Sequence, residues 1–203
     1  MPNSQKFKPT YILIAVNIAV YIYTSVAGQN FLTTDTSMLV QYGQVNDLVI
    51  NFGYYYQLFT SLFVHADITH IVGNMLFLLI FGLRAEEMFS LPEYLAVYFV
   101  GGLTGNVLSL FLLSATTVSV GASGAIFAMF GASVVYARRS VSQSIIGALI
   151  YAFFLLFISA GVGVNIFAHI GGLAAGLVIG YILATRRKPE TRYTVSYSYS
   201  TFP

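Results

Sequence analysis

A serine and a histidine are the residues through which this chain could do chemistry. Ser123 sits in "SVGASGAIFAMFG" (residues 119–131), flanked by Gly121 and Gly124. The three histidines are His65 and His70 in "HADITH" and His169 in "NIFAHIGGLAAG". Asn74 follows His70 at i+4, so the two project from one face of a helix. Asn106 and Asn165 complete the polar set within or beside apolar runs. A neutral imidazole can take the proton of a serine hydroxyl and make it a nucleophile. Free N–H groups at a helix N-terminus suit a developing oxyanion.

Other chemistries fail on residue type or spacing. No Asp or Glu occurs between Glu93 and Glu190, so a pair of intramembrane aspartates is excluded, and a proton-driven carrier lacks its usual carboxylate. Zinc proteolysis of the H-E-x-x-H kind needs two histidines one turn apart with a Glu between, whereas "HADITH" spaces them by five without one. The absence of cysteine removes disulfides, thiolate metal sites and a thiol nucleophile. The histidines with Asp67 could in principle ligate a metal, but they lack i, i+4 spacing; no metal or cofactor is expected. Each remaining motif has a plainer reading. Small-residue runs usually serve helix packing, a histidine near a helix end can be an interfacial hydrogen-bonder, and the His70–Asn74 face could be a polar helix contact.

The elements that must position these residues are membrane spans. Of 203 residues, 57% are hydrophobic and 8% charged, against roughly 25% charged in soluble domains. A net charge of +2 is too small and scattered for a nucleic-acid partner. Spans of about 20 apolar residues are read at 10–27, 67–83, 92–113, 122–137, 143–161 and 166–185. The first could instead be a cleaved signal peptide, after Lys6 and Lys8 and before "SVA", but its apolar run exceeds the usual 7–15 residues. With six spans, all Lys and Arg fall on one side: Lys6, Lys8, Arg84, Arg138, Arg139, Arg186, Arg187, Lys188 and Arg192. The positive-inside rule then places both termini in the cytoplasm and 28–66, 114–121 and 162–165 outside. The long connection 28–66 is aromatic and amphipathic, and is expected to form a structured element half-buried in the outer leaflet. Residues 1–188 read as one membrane domain, and 189–203 as a cytoplasmic tail without helical periodicity.

Depth pairs the serine with the last histidine. Ser123 precedes Arg138 by 15 residues and His169 precedes Arg186 by 17, about 22 and 25 Å along parallel helices. Both side chains therefore fall within the outer half of a core about 30 Å thick. Gly172 and Gly176 give the last span a GxxxG spacing for close approach to a neighbour. Span 4 is the expected neighbour, which would bring His169 against Ser123.

Three motifs, in order along the chain, resemble those of the rhomboid intramembrane serine proteases. "GASGAIFAMFG" is similar to the family's G-x-S-G segment, "HADITHIVGNM" to its span-2 motif, and "AHIGGLAAG" to its final-span histidine and GxxxG. The resemblance implies an all-α, polytopic bundle of six transmembrane helices with a long external loop between the first two. It implies hydrolysis of peptide bonds in or near transmembrane segments of membrane-protein substrates, in the lipid bilayer. Carried over by position, Ser123 is the nucleophile and His169 the general base. The side chains of His70 and Asn74 with the Ser123 N–H form the oxyanion hole, Gly121 shapes the serine's turn, and His65 tethers the external loop. With no acid nearby, the pair is a dyad. There are two departures. Family members often carry Trp-Arg where this chain has Tyr56-Gln57, which removes the Arg contacts. Many carry Tyr where it has Phe127, which can stack on the histidine but has no hydroxyl. "FFLLF", Phe153 to Phe157, is read as either part of a lateral gate or lipid-facing bulk. The rival functions are a catalytically inactive relative that binds transmembrane helices and a small transporter. The short loops suggest a prokaryotic plasma membrane, with the active site opening to the external side.

Overall fold

The computed structural model describes residues 8–140 and 164–186. The fifth expected span (143–161), with Phe153 to Phe157, and the tail 189–203 lie outside the described residues. Helix α1 (Pro9–Ala27) starts with proline in its first turn, where the missing N–H has no intrahelical acceptor to lose. Its outward face carries Ile12, Val16, Ile22 and Val26, all exposed, as a helix facing lipid requires. The connection after α1 then folds as α2 (Thr36–Tyr42), β1 (Gln44–Val45), α3 (Asn46–Phe52) and α4 (Gln57–Thr60). Asp35 caps α2 by accepting from the Ser37 N–H, and Gly53 ends α3 at φ 72°, a left-handed conformation that favours glycine.

Helix α5 (Ile68–Met88) is capped by Asp67, whose carboxylate accepts from the His70 N–H at 2.8 Å. It runs to Met88, five residues past the expected end. The apolar signal stops at Arg84, but the helix continues through an Arg84–Glu87 ion pair and a bond from the Thr10 N–H to Glu86. Helix α6 (Leu91–Leu112) opens with a capping box, Ser90 and Glu93 bonding reciprocally. The turn after it forms β2 (Val118–Ser119), which pairs antiparallel with β1, Gln44 opposite Ser119 and Val45 opposite Val118. Helix α7 (Ser123–Ser140) follows, and α8 (Ile166–Arg186) completes the described residues.

Among these, α1, α5, α6 and α8 are each long and apolar enough to cross a membrane. The fold is all-α and polytopic, as the sequence leads one to expect. Its core gathers Leu13, Leu62, Leu78, Tyr94, Val97, Tyr98, Ala125 and Met129, all buried.

The tightest packing lies along α7 and α8, where each turn presents a glycine to a backbone. A methyl at Gly172 would stand 2.0 Å from the Gly124 carbonyl oxygen, at Gly176 2.1 Å from that of Ala128, and at Gly180 2.5 Å from that of Ala132. Helix α6 closes on the same pair: a methyl at Gly101 would meet the Ala128 side chain at 2.0 Å, and at Gly105 the Ala168 carbonyl oxygen at 2.3 Å. Lipid supplies no hydrophobic drive between helices, so such backbone approach is a principal source of their cohesion.

Candidate active site

Ser123 is the first residue of α7 and His169 lies in the first turn of α8. The glycine seam places Gly172 beside Gly124, one residue after the serine. At its head, Nε2 of His169 lies 2.7 Å from Oγ of Ser123. His169 is 3% exposed, and the Phe127 ring stacks on its imidazole at 4.6 Å between centroids, 27° from parallel. Phe127 follows Ser123 by one helical turn, so the element that presents the hydroxyl also steadies the ring facing it.

The turn before Ser123 is held from the connection between α1 and α5 and from α6. Gly121 adopts φ 114°, a region that side chains rarely occupy. A methyl there would lie 2.8 Å from Nε2 of His70 and 3.9 Å from Oγ of Ser123. His70 and the serine hydroxyl thus face one small space that only glycine leaves open. The Gly121 N–H donates to the Ser61 carbonyl at 2.9 Å, and Asn106 Nδ2 donates to the Ser61 hydroxyl at 2.9 Å and the Leu58 carbonyl at 2.8 Å. Further out, the N–H groups of Asn46 and Asp47 donate to Thr117 and Ala115, extending the β1–β2 pairing. The Asn46 side chain donates to the carbonyls of Ser109, Leu113 and Ser114, closing the otherwise unmet C-terminus of α6.

Asn74 lies one turn beyond His70, buried, with Nδ2 donating to the His70 carbonyl at 2.9 Å. One of its two amide hydrogens remains to be placed. Ser123, His169, His70, Asn74, Gly121 and Phe127 all line one cavity of about 580 Å³, whose further wall includes Phe77, Phe81 and Phe130. A cavity of that size, apolar with convergent polar groups, suits a side chain and its flanking backbone.

His65 stands apart from that cavity. It is wholly buried, with its ring edge-on to His70 at 5.2 Å. Its Nδ1 lies 3.2 Å from the Phe63 carbonyl, which can only accept, so Nδ1 carries the proton. Burial, reinforced by the neighbouring His70, pushes its pKa down to about 3, leaving it neutral. Its backbone is tied to the connection after α1: the Thr34 hydroxyl donates to the His65 carbonyl at 2.6 Å. Burial tends to raise the Asp67 carboxyl, but bonds from the Thr69 hydroxyl and the His70 N–H outweigh it and hold Asp67 below the usual carboxylate range. Asp67 is therefore an ionised cap at the head of α5. Among the described residues, no three His, Asp or Glu gather as a metal set.

Gln57, where family members often carry Arg, ties two parts of the connection together. It is fully buried, its Nε2 donating to the Val40 carbonyl at 2.8 Å and its Oε1 accepting from the Val45 N–H at 3.0 Å. The neighbouring Tyr56 hydroxyl donates to the Gln41 carbonyl at 3.0 Å. Ser61, Gln44 and Asn46 were not legible as site supports, because they act through main-chain groups far along the chain. Their only outward sign is polarity within apolar surroundings.

Comparison with known proteins agrees with this architecture. Residues 53–186 match the family described as Rhomboid domain. RHOMBOID-like protein 6, mitochondrial, of Arabidopsis thaliana is 37% identical over 134 residues, covering 63% of this chain and 43% of that protein. Rhomboid-like protease 2 of Toxoplasma gondii is 33% identical over 188 residues, covering 88% and 66%. Rhomboid protease GluP of Bacillus subtilis is 32% identical over 179 residues, covering 85% and 34%. The chain thus spans from about a third to about two thirds of the length of these relatives. The match takes in α5 to α8 and Ser61, whose carbonyl holds the turn before Ser123, and on that ground this multi-pass membrane protein belongs to the rhomboid family.

Proposed function

We propose that the chain is an intramembrane serine endopeptidase, cutting peptide bonds in or near transmembrane segments with Ser123 as nucleophile and His169 as general base. The observation that carries this reading is the 2.7 Å approach of His169 Nε2 to Ser123 Oγ at the head of a membrane helix. A serine hydroxyl is a weak nucleophile until a base within hydrogen-bond reach takes its proton.

Neutral His169 accepts that proton through Nε2 as Oγ bonds to the scissile carbonyl carbon. Negative charge gathers on the carbonyl oxygen, where the Ser123 N–H, the His70 ring and the unassigned Asn74 amide hydrogen serve as donors. His169 returns the proton to the leaving amine, and water then opens the acyl-enzyme by the same exchange. Phe127 holds the imidazole plane through both halves of the cycle. A substrate helix has its carbonyls bonded internally, so the segment at Ser123 must unwind before attack.

In this reading residues 1–188 form one protease domain and 189–203 a cytoplasmic tail. The chain resides in the plasma membrane with both termini cytoplasmic, the site opening to the external side, and transmembrane proteins as substrates. The test is fluorophosphonate labelling of detergent-purified protein. Wild type labels, whereas Ser123→Ala and His169→Ala do not, and labelling is lost once acid protonates His169. A folded wild type that never labels would sink the dyad and leave an inactive helix-binding relative as the better account.

A further inference from the structure

We infer that Asn165 is a positioning residue, clasping the first turn of α8 to α6 and β2 so that His169 meets Ser123; this rests on those two residues forming the dyad. Every hydrogen-bonding group of its amide is used. Oδ1 accepts from the Ala168 N–H at 2.9 Å, capping α8. Nδ2 donates to the Ser109 hydroxyl at 2.7 Å and to the Ser119 hydroxyl at 2.8 Å. The Ala168 N–H can only donate, which fixes which end of the amide faces it. Ser109 gives its own proton to the Gly105 carbonyl at 2.9 Å, so its lone pair is left for Asn165. Ser109 and Ser119 are 0% and 4% exposed, and bonds in such surroundings are stronger than at a wet surface.

The three elements joined are those that set the dyad. Ser119 belongs to β2 and leads into the turn that presents Ser123. Asn165 begins the turn that carries His169, and its carbonyl accepts the His169 N–H at 3.4 Å. The seam between α7 and α8 fixes how far apart the helices lie. Glycine and alanine surfaces, however, resist slip and rotation poorly. A side-chain tip stands about 5–6 Å from a helix axis, so a turn of about 15° about that axis would move the imidazole by more than 1 Å. An error of that size is worth up to about a hundredfold in rate. The clasp is the polar contact placed to prevent it.

Helix capping and clasping are separable by substitution. Asn165→Asp keeps the acceptor that caps α8 but lacks both donors, and a serine hydroxyl can answer it only by turning its own proton inward, which for Ser109 means releasing the Gly105 carbonyl. The measurement is the fluorophosphonate reaction of the full-length protein in detergent, resolved into probe binding and maximal labelling rate. Each variant's thermal unfolding is followed alongside. Asn165→Asp should unfold near the wild-type temperature yet label between about tenfold and a hundredfold more slowly. The loss should fall in the maximal rate and not in probe binding. It should persist well above the histidine pKa of about 6.5, where any effect of the new carboxylate on His169 protonation has vanished. Ser119→Ala should slow labelling alone but add nothing in an Asn165→Ala background.

Wild-type labelling by Asn165→Asp, a loss confined to probe binding, or additive effects of Asn165→Ala and Ser119→Ala would each overturn the inference. A folded wild-type protein that does not label overturns the dyad itself, an outcome distinct from any result with the Asn165 variants.

Discussion

Gly172→Ala puts the seam between α7 and α8 to a direct test. The added methyl would stand 2.0 Å from the Gly124 carbonyl oxygen, where ordinary contact begins at 3.4 Å. The obstacle is backbone, with no side chain free to swing aside, so the helices must part by about 1.4 Å. Overpacking of this kind typically destabilises by about 1–3 kcal/mol. Gly172 lies less than one turn beyond His169, and Gly124 directly follows Ser123. The separation is therefore delivered to the 2.7 Å contact between their side chains. A proton transfer stretched by about 1 Å should slow labelling by about a hundredfold. Gly180→Ala is the control. It presses on the Ala132 carbonyl oxygen at 2.5 Å in the same seam, but it stands two turns further from the dyad. It should lower the unfolding temperature comparably while slowing labelling far less. The assay is the initial rate of fluorophosphonate labelling in detergent, with unfolding followed on the same samples. Equal rates for Gly172→Ala and wild type would refute the reasoning, and so would equal slowing by the two variants.

Gly121→Ala should abolish labelling in a protein that still folds, because φ 114° and the His70 ring at 2.8 Å both oppose a side chain; retained labelling would show that the turn can re-form. Gln57→Leu should destabilise the protein by about 1–3 kcal/mol, read by thermal unfolding, since it removes the partner of the Val40 carbonyl and of the Val45 N–H from a fully buried side-chain position. The neutral His65 makes stability fall with acid. Between about pH 6.5 and 3 the unfolded chain takes up a proton that the folded protein refuses, giving a slope approaching about 1.4 kcal/mol per pH unit. Unfolding curves across that range should be flatter for His65→Gln, and parallel curves would show that His65 is already charged in the fold.

The spanning helices were legible because lipid imposes a single rule along each of them. Helices α1, α6 and α8 begin and end within a residue of the apolar runs. Helix α5 outran its signal, because charges at a membrane boundary can extend a helix that hydropathy alone would end. Ser123, His169, His70 and Asn74 were legible because polar groups are scarce in such runs, and the structure brings all four to one cavity. The scaffold of the turn before Ser123 was not legible. It depends on a two-residue pairing between β1 and β2 and on Ser61, Gln44 and Asn46 reaching main-chain groups. Such contacts leave no periodicity for a sequence to display. Gln57 is the sharpest case: its residue type shows only that an arginine is absent, whereas its amide offers both a donor and an acceptor, to the Val40 carbonyl and from the Val45 N–H.

The seam also bears on what it takes to keep Ser123 and His169 in register. Between α7 and α8 the facing positions are Gly124, Ala128 and Ala132 against Gly172, Gly176 and Gly180. None of these six residues has a rotamer to immobilise, so this stripe of the interface draws on no side-chain conformational entropy; Phe127 on His169 and Leu173 against Gly131 are the side chains that must be ordered beside it. The Ser123 hydroxyl and the His169 imidazole are thus carried by two backbones in contact, with few side chains left to arrange. The spacing of the two helices can therefore be regained after thermal disturbance with little search of side-chain conformations.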